Sequence, residues 1–335
     1  MTLPATFGCA GPALLPDERA LIRAARPWGF ILFARNIETP EQLRRLTADL
    51  RAAAGRDAPV LIDQEGGRVA RMAAPHWRTW PPPLDAVAAA PDAATAARMM
   101  HLRYRLIAAE LAEAGIDVNC APLADIAHAE THPILRNRCY GTDAATVATI
   151  ARAVAEGLLA GGVLPVLKHI PGHGRASLDS HVDLPRIAAG RATLDAEDFA
   201  PFRALADLPL GMTAHIVYDA IDLDRPATLS PDAIATIRGE IGFDGLLMTD
   251  DISMQALSGS VSARGRAALD AGCDIVLHCN GRLAEMERLA ADLPPMTDAA
   301  RARWDRAAAL RHRDPADTDA LAADLDALQP GAAHV

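Results

Sequence analysis

Eight short apolar runs, separated by longer segments carrying helix start and stop signals, constrain the fold of this chain more than any other feature. The runs lie at 6–9, 29–33 (GFILF), 59–63 (PVLID), 116–119 (IDVN), 163–168 (VLPVLK), 208–213, 245–249 (GLLMT) and 273–278 (CDIVLH). Their apolar character is nearly continuous, as in parallel strands covered on both faces. Between them, Thr39, Pro40 and Gln42 read as N-cap, N1 and N3 of a helix that ends before Gly55. A long helical stretch runs from Asp92 to a stop at Gly115, and Ser230-Pro231 opens another that ends at Gly242. Thr193 is expected to cap the helix before Phe202, and Gly272 to close the helix before the last run. This alternation predicts an α/β chain folded as one (β/α)8 TIM barrel. A doubly wound open sheet is the rival, but CAGPALLP follows the first run where such a sheet carries GxGxxG. No linker divides the chain, so residues 1–335 are expected to be one domain with a helical C-terminal extension at about 295–330.

Composition excludes several function classes. Half of the 335 residues are hydrophobic, yet no apolar run approaches the ~18 residues that span a bilayer, so no membrane partner is expected. The first residues, MTLPATFGCAGPALLPDE, have neither a basic nor an apolar leader region, and the expected location is the cytoplasm. The five cysteines are odd in number and form no CxxC pair, which argues against a disulfide framework or structural zinc. A net charge of −10 without a basic cluster disfavours nucleic acid. Among 33 basic residues Lys168 is the one lysine, which suggests that its shape or chemistry is needed where it stands.

In a (β/α)8 barrel the site lies at the C-terminal strand ends, and here those ends are polar. Asp63 closes the third run, Asn119 the fourth, Lys168-His169 the fifth, His215 the sixth and Asp250-Asp251 the seventh, while Asn280 follows the eighth. Burying so many polar groups at one end costs free energy that only partners or a ligand return. The convergence points to an enzyme. Asp251 reads as the N-cap of the following helix. Asp250 is placed as a nucleophile, a ligand-binding group or a structural strand end. Lys168 suits a hydroxyl-gripping cation or the amine of a Schiff-base lyase. Asp179-Ser180-His181 falls in a glycine-rich loop and reads as an Asp–His pair or as a plain surface loop. His169 and His173 are four apart, but Pro171 and Gly172 between them forbid the helix that a metal pair at this spacing requires. No metal or cofactor is expected. A non-catalytic sugar-binding barrel is the remaining alternative from another class.

Several segments together resemble glycoside hydrolase family 3, and within it the single-domain bacterial β-N-acetylglucosaminidases of peptidoglycan recycling. They are GFILFARN, LIDQEGGRVAR, LRNRCYG, LKHIPGHG, DSHVDLP, MTAH and GLLMTDDISM, in the family's order across nearly the whole barrel. KHIPGHG followed by DSH is the most specific of them. The resemblance implies that Asp250 is the nucleophile, that His181 is the general acid/base and that Asp179 is its partner. It implies that Asp63, Arg71, Arg138, Lys168 and His169 hold the terminal sugar. Cys139-Tyr140 depart from the small residue and phenylalanine expected after Arg138. The implied substrate is a small saccharide or muropeptide ending in N-acetylglucosamine, cleaved with retention. Two aspartates beside His181 would favour its cationic, proton-donating form, and esterification of Asp250 would remove one of those charges and free the imidazole as a base. The glycines of 172–182 suggest a loop that brings His181 in when sugar binds. A neutral base repels anions less than a carboxylate does, so phosphate is an alternative acceptor to water.

Overall fold

The computed structural model describes residues 1–176, 178, 184–314 and 316–328. Eight parallel strands close into a barrel: β1 (Leu3–Gly8), β2 (Pro27–Leu32), β3 (Val60–Ile62), β4 (Val118–Asn119), β5 (Leu164–Ile170), β6 (Leu210–Thr213), β7 (Leu246–Asp251) and β8 (Ile275–His278). Each strand pairs with its sequence neighbours, and β1 closes the ring on β8 through Ala5 opposite Val276. The chain is therefore the expected (β/α)8 TIM barrel. β1 starts earlier than its apolar pattern suggested, and all six of its residues are buried.

Side chains alternate between the two faces of a strand, and that alternation positions the site. Ile31, Leu61, Val118, Leu164, Val166, Leu210, Met212, Leu246, Met248, Ile275 and Leu277 pack together inside the barrel. The opposite face of the strands, with Leu32, Val60, Ile62, Leu167 and Leu247, packs outward against the helices. Burying each such aliphatic side chain contributes roughly 1.5–3 kcal/mol. Two residues beyond the last interior apolar position, the same parity reaches Phe33, Asp63, Lys168, Asp250 and Cys279. Apart from Thr6 on β1, the interior is apolar, and charged groups gather at its C-terminal mouth.

The main outer helices are α1 (Pro16–Ala25), α2 (Pro40–Ala54), α3 (Ala93–Glu113), α4 (Ala144–Ala160), α5 (Val261–Ala271) and α6 (Leu283–Asp292). Thr39 caps α2 by accepting from the Gln42 amide at 3.2 Å, while the Gln42 side chain accepts from Glu38 rather than from Thr39. Asp92 caps α3, and Gly55 and Gly272 end α2 and α5 with positive φ, as their sequence positions predicted. Two local expectations fail. Thr193 is not an N-cap: the helix begins at Arg191 and continues past it through a π turn at Leu194–Asp198. Asp251 does not cap α5, because Ser260 does so from nine residues further on. Two more helices, α7 (Asp298–Ala308) and α8 (Thr318–Leu328), follow the eighth unit. α7 covers the N-terminal end of the barrel, where Trp304 meets Trp28 edge-to-face at 4.9 Å. No described helix is long and apolar enough to cross a membrane.

Candidate active site

The polar mouth of the barrel opens into a cavity of about 440 Å3 whose lining includes Asp63, Arg71, Arg138, Lys168, His169 and Asp250. These are all the residues that the family resemblance assigned to the site among the described residues. Asp179 and His181, the expected acid/base pair, lie outside the described residues.

A buried ionic network forms one wall. The Lys168 ammonium lies 3.0 Å from Asp63 and 2.7 Å from Glu65. Arg71 donates to the second Asp63 oxygen at 3.0 Å. Arg138 makes a bidentate pair with Glu65, with both contacts at 2.8 Å. Burial works to raise the Asp63 and Glu65 pKa values, but the facing cations outweigh it and hold both carboxyls below their usual range. Burial likewise works to lower the Lys168 pKa, and the two carboxylates reverse it, so this lysine stays charged. An amine held cationic by two carboxylates at 2.7 and 3.0 Å is a poor Schiff-base nucleophile, which disfavours the lyase reading. Charged donors and acceptors fixed side by side, with some faces open to a cavity, suit vicinal hydroxyls, each of which both donates and accepts.

His169 follows Lys168 and is held by Asp125, a residue the sequence analysis passed over. Asp125 is fully buried and its carboxyl is held low: burial opposes ionisation, but His169 and the His173 amide stabilise the anion. An ionised carboxylate only accepts, so His169 Nδ1, 2.8 Å away, carries the proton. The other ring nitrogen is left for a ligand. The same carboxylate accepts from the His173 amide at 2.6 Å and so pins the start of the loop after β5.

Asp250 stands at the end of β7 and accepts from the Asp251 amide at 2.8 Å. The strand end is fastened from two sides. His215 donates from Nε2 to the Asp251 carbonyl at 3.0 Å and accepts at Nδ1 from Thr228 at 2.7 Å. The Asp251 carboxylate accepts from Ser253 Oγ at 2.6 Å and from the Cys279 amide at 3.1 Å. Asp251 thus ties β7 to the turn after it and to the end of β8, in place of the helix cap expected of it. Glu65, Asp125 and His215 complete the site from behind. Glu65 had a signal in its motif, His215 had one in its strand-end position, and Asp125 had none.

Among the described residues one His/carboxylate group has metal-binding proximity, His128 with Glu197 and Asp198. Arg175 already pairs with both of those carboxylates, and none of the three lines the cavity.

An ionic wall facing a strand-end carboxylate across the mouth of a (β/α)8 barrel suits the binding and cleavage of a glycoside. The chain belongs to glycosyl hydrolase family 3: the family's N-terminal domain model matches residues 15–307. It is 39% identical over 282 residues to the β-hexosaminidase of Alkalilimnicola ehrlichii, covering 83% of this chain and 80% of that one. It is 38% identical over 285 residues to the β-hexosaminidase of Pseudomonas aeruginosa, covering 84% and 83%. Its fold matches NagZ from Neisseria gonorrhoeae, solved in complex with N-trifluoroacetyl-D-glucosamine, with a TM-score of 0.85 and 30% identity over 97% of this chain and 96% of that one.

Proposed function

We propose that this chain is a retaining exo-β-N-acetylglucosaminidase that removes non-reducing terminal N-acetylglucosamine from peptidoglycan fragments of the GlcNAc–1,6-anhydro-MurNAc-peptide type, in the cytoplasm. Residues 1–335 then act as one catalytic domain, and the helices beyond residue 295 are an extension of it. The observation that carries the reading is that Asp250 lines the same cavity as the Asp63–Lys168–Arg138 wall. The names of the relatives and the bound sugar analogue of the gonococcal protein support the acetamido sugar.

The terminal sugar's hydroxyls are held by Asp63, Arg71, Arg138, Lys168 and His169, which presents C1 to Asp250. The Asp250 carboxylate attacks C1 as the C1–O bond to the departing group breaks, and the leaving oxygen takes its proton from His181, which Asp179 orients. Water then attacks C1 from the vacated side and gives a proton to His181. The ester opens and Asp250 is regenerated. Acid/base assistance of this type is worth roughly 10²–10⁴-fold. The wall contributes binding and orientation, and since its charges are already paired in place, little reorganisation accompanies the reaction.

The test is turnover of an aryl N-acetyl-β-glucosaminide followed by NMR. The β-anomer of free N-acetylglucosamine is expected first, with the α-anomer appearing only by mutarotation. Asp250→Ala is expected to lose at least 10⁴-fold in kcat, and His181→Ala to lose far less on substrates with acidic phenols than on poor leaving groups. An α-anomer formed first, or equal His181→Ala losses on both substrate types, would contradict the mechanism. Sugar phosphate formed in phosphate buffer would reassign the acceptor.

A further inference from the structure

Helix α3 buries an arginine that no carboxylate accompanies. Arg103 is 3% exposed and pairs with no acidic side chain among the described residues. A buried cation costs free energy unless other groups solvate it, and here backbone carbonyls and aromatic faces do so. Its Nη2 donates to the Glu65 carbonyl at 2.7 Å and to the Pro81 carbonyl at 2.9 Å. Its guanidinium lies 5.5 Å from the centre of the Trp80 ring and 5.8 Å from that of Tyr104. The next residue, Tyr104, is fully buried and donates from its hydroxyl to the same Glu65 carbonyl at 3.0 Å. One carbonyl thus takes two side-chain donors, its full capacity. The backbone makes room for them: Gly66 has a φ of +100°, and a Cβ there would lie 1.7 Å from Arg103 Nη2. Tyr140 Oη stands 3.3 Å from Tyr104 Oη. The Tyr104 hydrogen is already directed at Glu65, so Tyr140 is the donor in this longer contact, which the phenylalanine expected at 140 could not make.

What the two donors hold is the residue that orders the sugar-binding wall. Glu65 lies on the ribbon Gln64–Gly66, which forms a two-stranded sheet with Val69–Ala70 outside the barrel ladder. Before Glu65, the amide and carbonyl of Gln64 are both held by the Asn119 side chain at 3.0 Å. After it, the Glu65 carbonyl is held by Arg103 and Tyr104. The Glu65 Cα is clamped between two fixed peptide groups, and this sets where its carboxylate reaches Lys168 and Arg138, at 2.7 and 2.8 Å. With the second clamp loosened, the peptide after Glu65 can rotate, and the carboxylate no longer meets both cations at once. We infer that Arg103 and Tyr104 are positioning residues for the reaction. Neither lines the cavity. They act through Glu65, which sets the places of Lys168 and Arg138 at the sugar hydroxyls. The inference rests on the glycosidase reading of the same site.

The test compares an aryl N-acetyl-β-glucosaminide with its 3-deoxy, 4-deoxy and 6-deoxy analogues on the same phenol. The readout is the parent-to-deoxy ratio of kcat/KM for each hydroxyl. A hydroxyl held by charged partners is expected to give the unaltered protein a ratio of about 10 or more. Arg103→Met is expected to lower the largest of these ratios by about 5-fold or more and Tyr104→Phe by about 2–3-fold, with Arg103→Lys restoring part of the loss. A misfolded fraction lowers all four rates alike and cancels, so a merely structural role leaves the ratios where they are. Unchanged ratios in Arg103→Met and Tyr104→Phe overturn the inference while leaving the glycosidase intact. Ratios near one in the unaltered protein overturn it as well, because the wall then holds no hydroxyl. Failure of the unaltered protein to cleave the parent compound overturns the glycosidase reading itself, and the inference with it. Tyr104→Phe keeps the ring and removes a single donor, so it decides the matter alone if the Arg103 variants fail to fold.

Discussion

Glu65 shows how much of this site depends on groups set behind the cavity surface. It is fully buried, and it pairs with Lys168 and Arg138 at once. Replacing it by glutamine keeps the volume but leaves Lys168, Arg138 and Arg71 with the single charge of Asp63. Removing one partner of a buried ionic network typically costs about 3–5 kcal/mol. Glu65→Gln is therefore expected to lower the melting temperature and to reduce kcat/KM on a neutral aryl glucosaminide by at least 10²-fold, which thermal unfolding and steady-state kinetics would check. An unaltered KM with a stable fold would mean that the wall does not depend on Glu65. The first layer of the site was legible in the sequence because it follows from strand parity: Asp63, Lys168 and Asp250 each stand two positions past an interior apolar residue. Glu65 was visible as part of a motif, but its role was not, because it sits on the short ribbon Gln64–Gly66 beyond β3, where strand parity no longer holds. Asp125 lies in an irregular segment after β4 and meets His169 only through tertiary packing. No local pattern announces such a contact.

At the scale of elements, the alternation of strands and helices was readable, and so were most helix ends, because each cap is chosen by local hydrogen bonding and by the φ that glycine permits. Asp251 and Thr193 were misread for one reason: a capping residue type says nothing about whether a helix begins there. At Asp251 the chain makes a turn instead, and at Thr193 the helix has already started. The loop after β5 shows the complementary case, a glycine demanded by proximity rather than by its dihedral angle. A Cβ on Gly174 would lie 2.0 Å from the Ile126 carbonyl oxygen, and no flexible side chain is there to yield. Gly174→Ala should push the chain leading to Asp179 and His181 away from the segment beside Asp125. Overpacking of this kind costs about 1–3 kcal/mol. The expected result is a melting temperature lower by several degrees together with a disproportionate fall in kcat, of 10²-fold or more. Kinetics on acidic and poor leaving groups would locate the loss, which should be largest for the poor ones if the His181 side of the site is displaced.

The whole molecule should respond to acid through its buried imidazoles. Burial, and next the neighbouring His169, push the His173 pKa down to about 4 from an ordinary value of 6.5, with Asp125 opposing. Between those two values the unfolded chain holds a proton that the folded chain does not, so stability rises with pH across that window and is lost as pH falls through it. From pH 7 to pH 5 this one residue contributes a loss of about 2 kcal/mol. Chemical unfolding at the two pH values should show that difference shrinking in His173→Gln, and an identical pH dependence in that variant would assign the effect to other groups. The paired charges around Lys168 behave in the opposite manner. Asp63 and Glu65 are held ionised and Lys168 and Arg138 are held cationic far beyond mild acid or mild base. The sugar-holding wall is thus silent to protons over the range in which an assay is run. Any limb in a plot of rate against pH must therefore arise elsewhere, from the attacking carboxylate or from an imidazole, so the plot itself becomes a report on the proton-carrying partner.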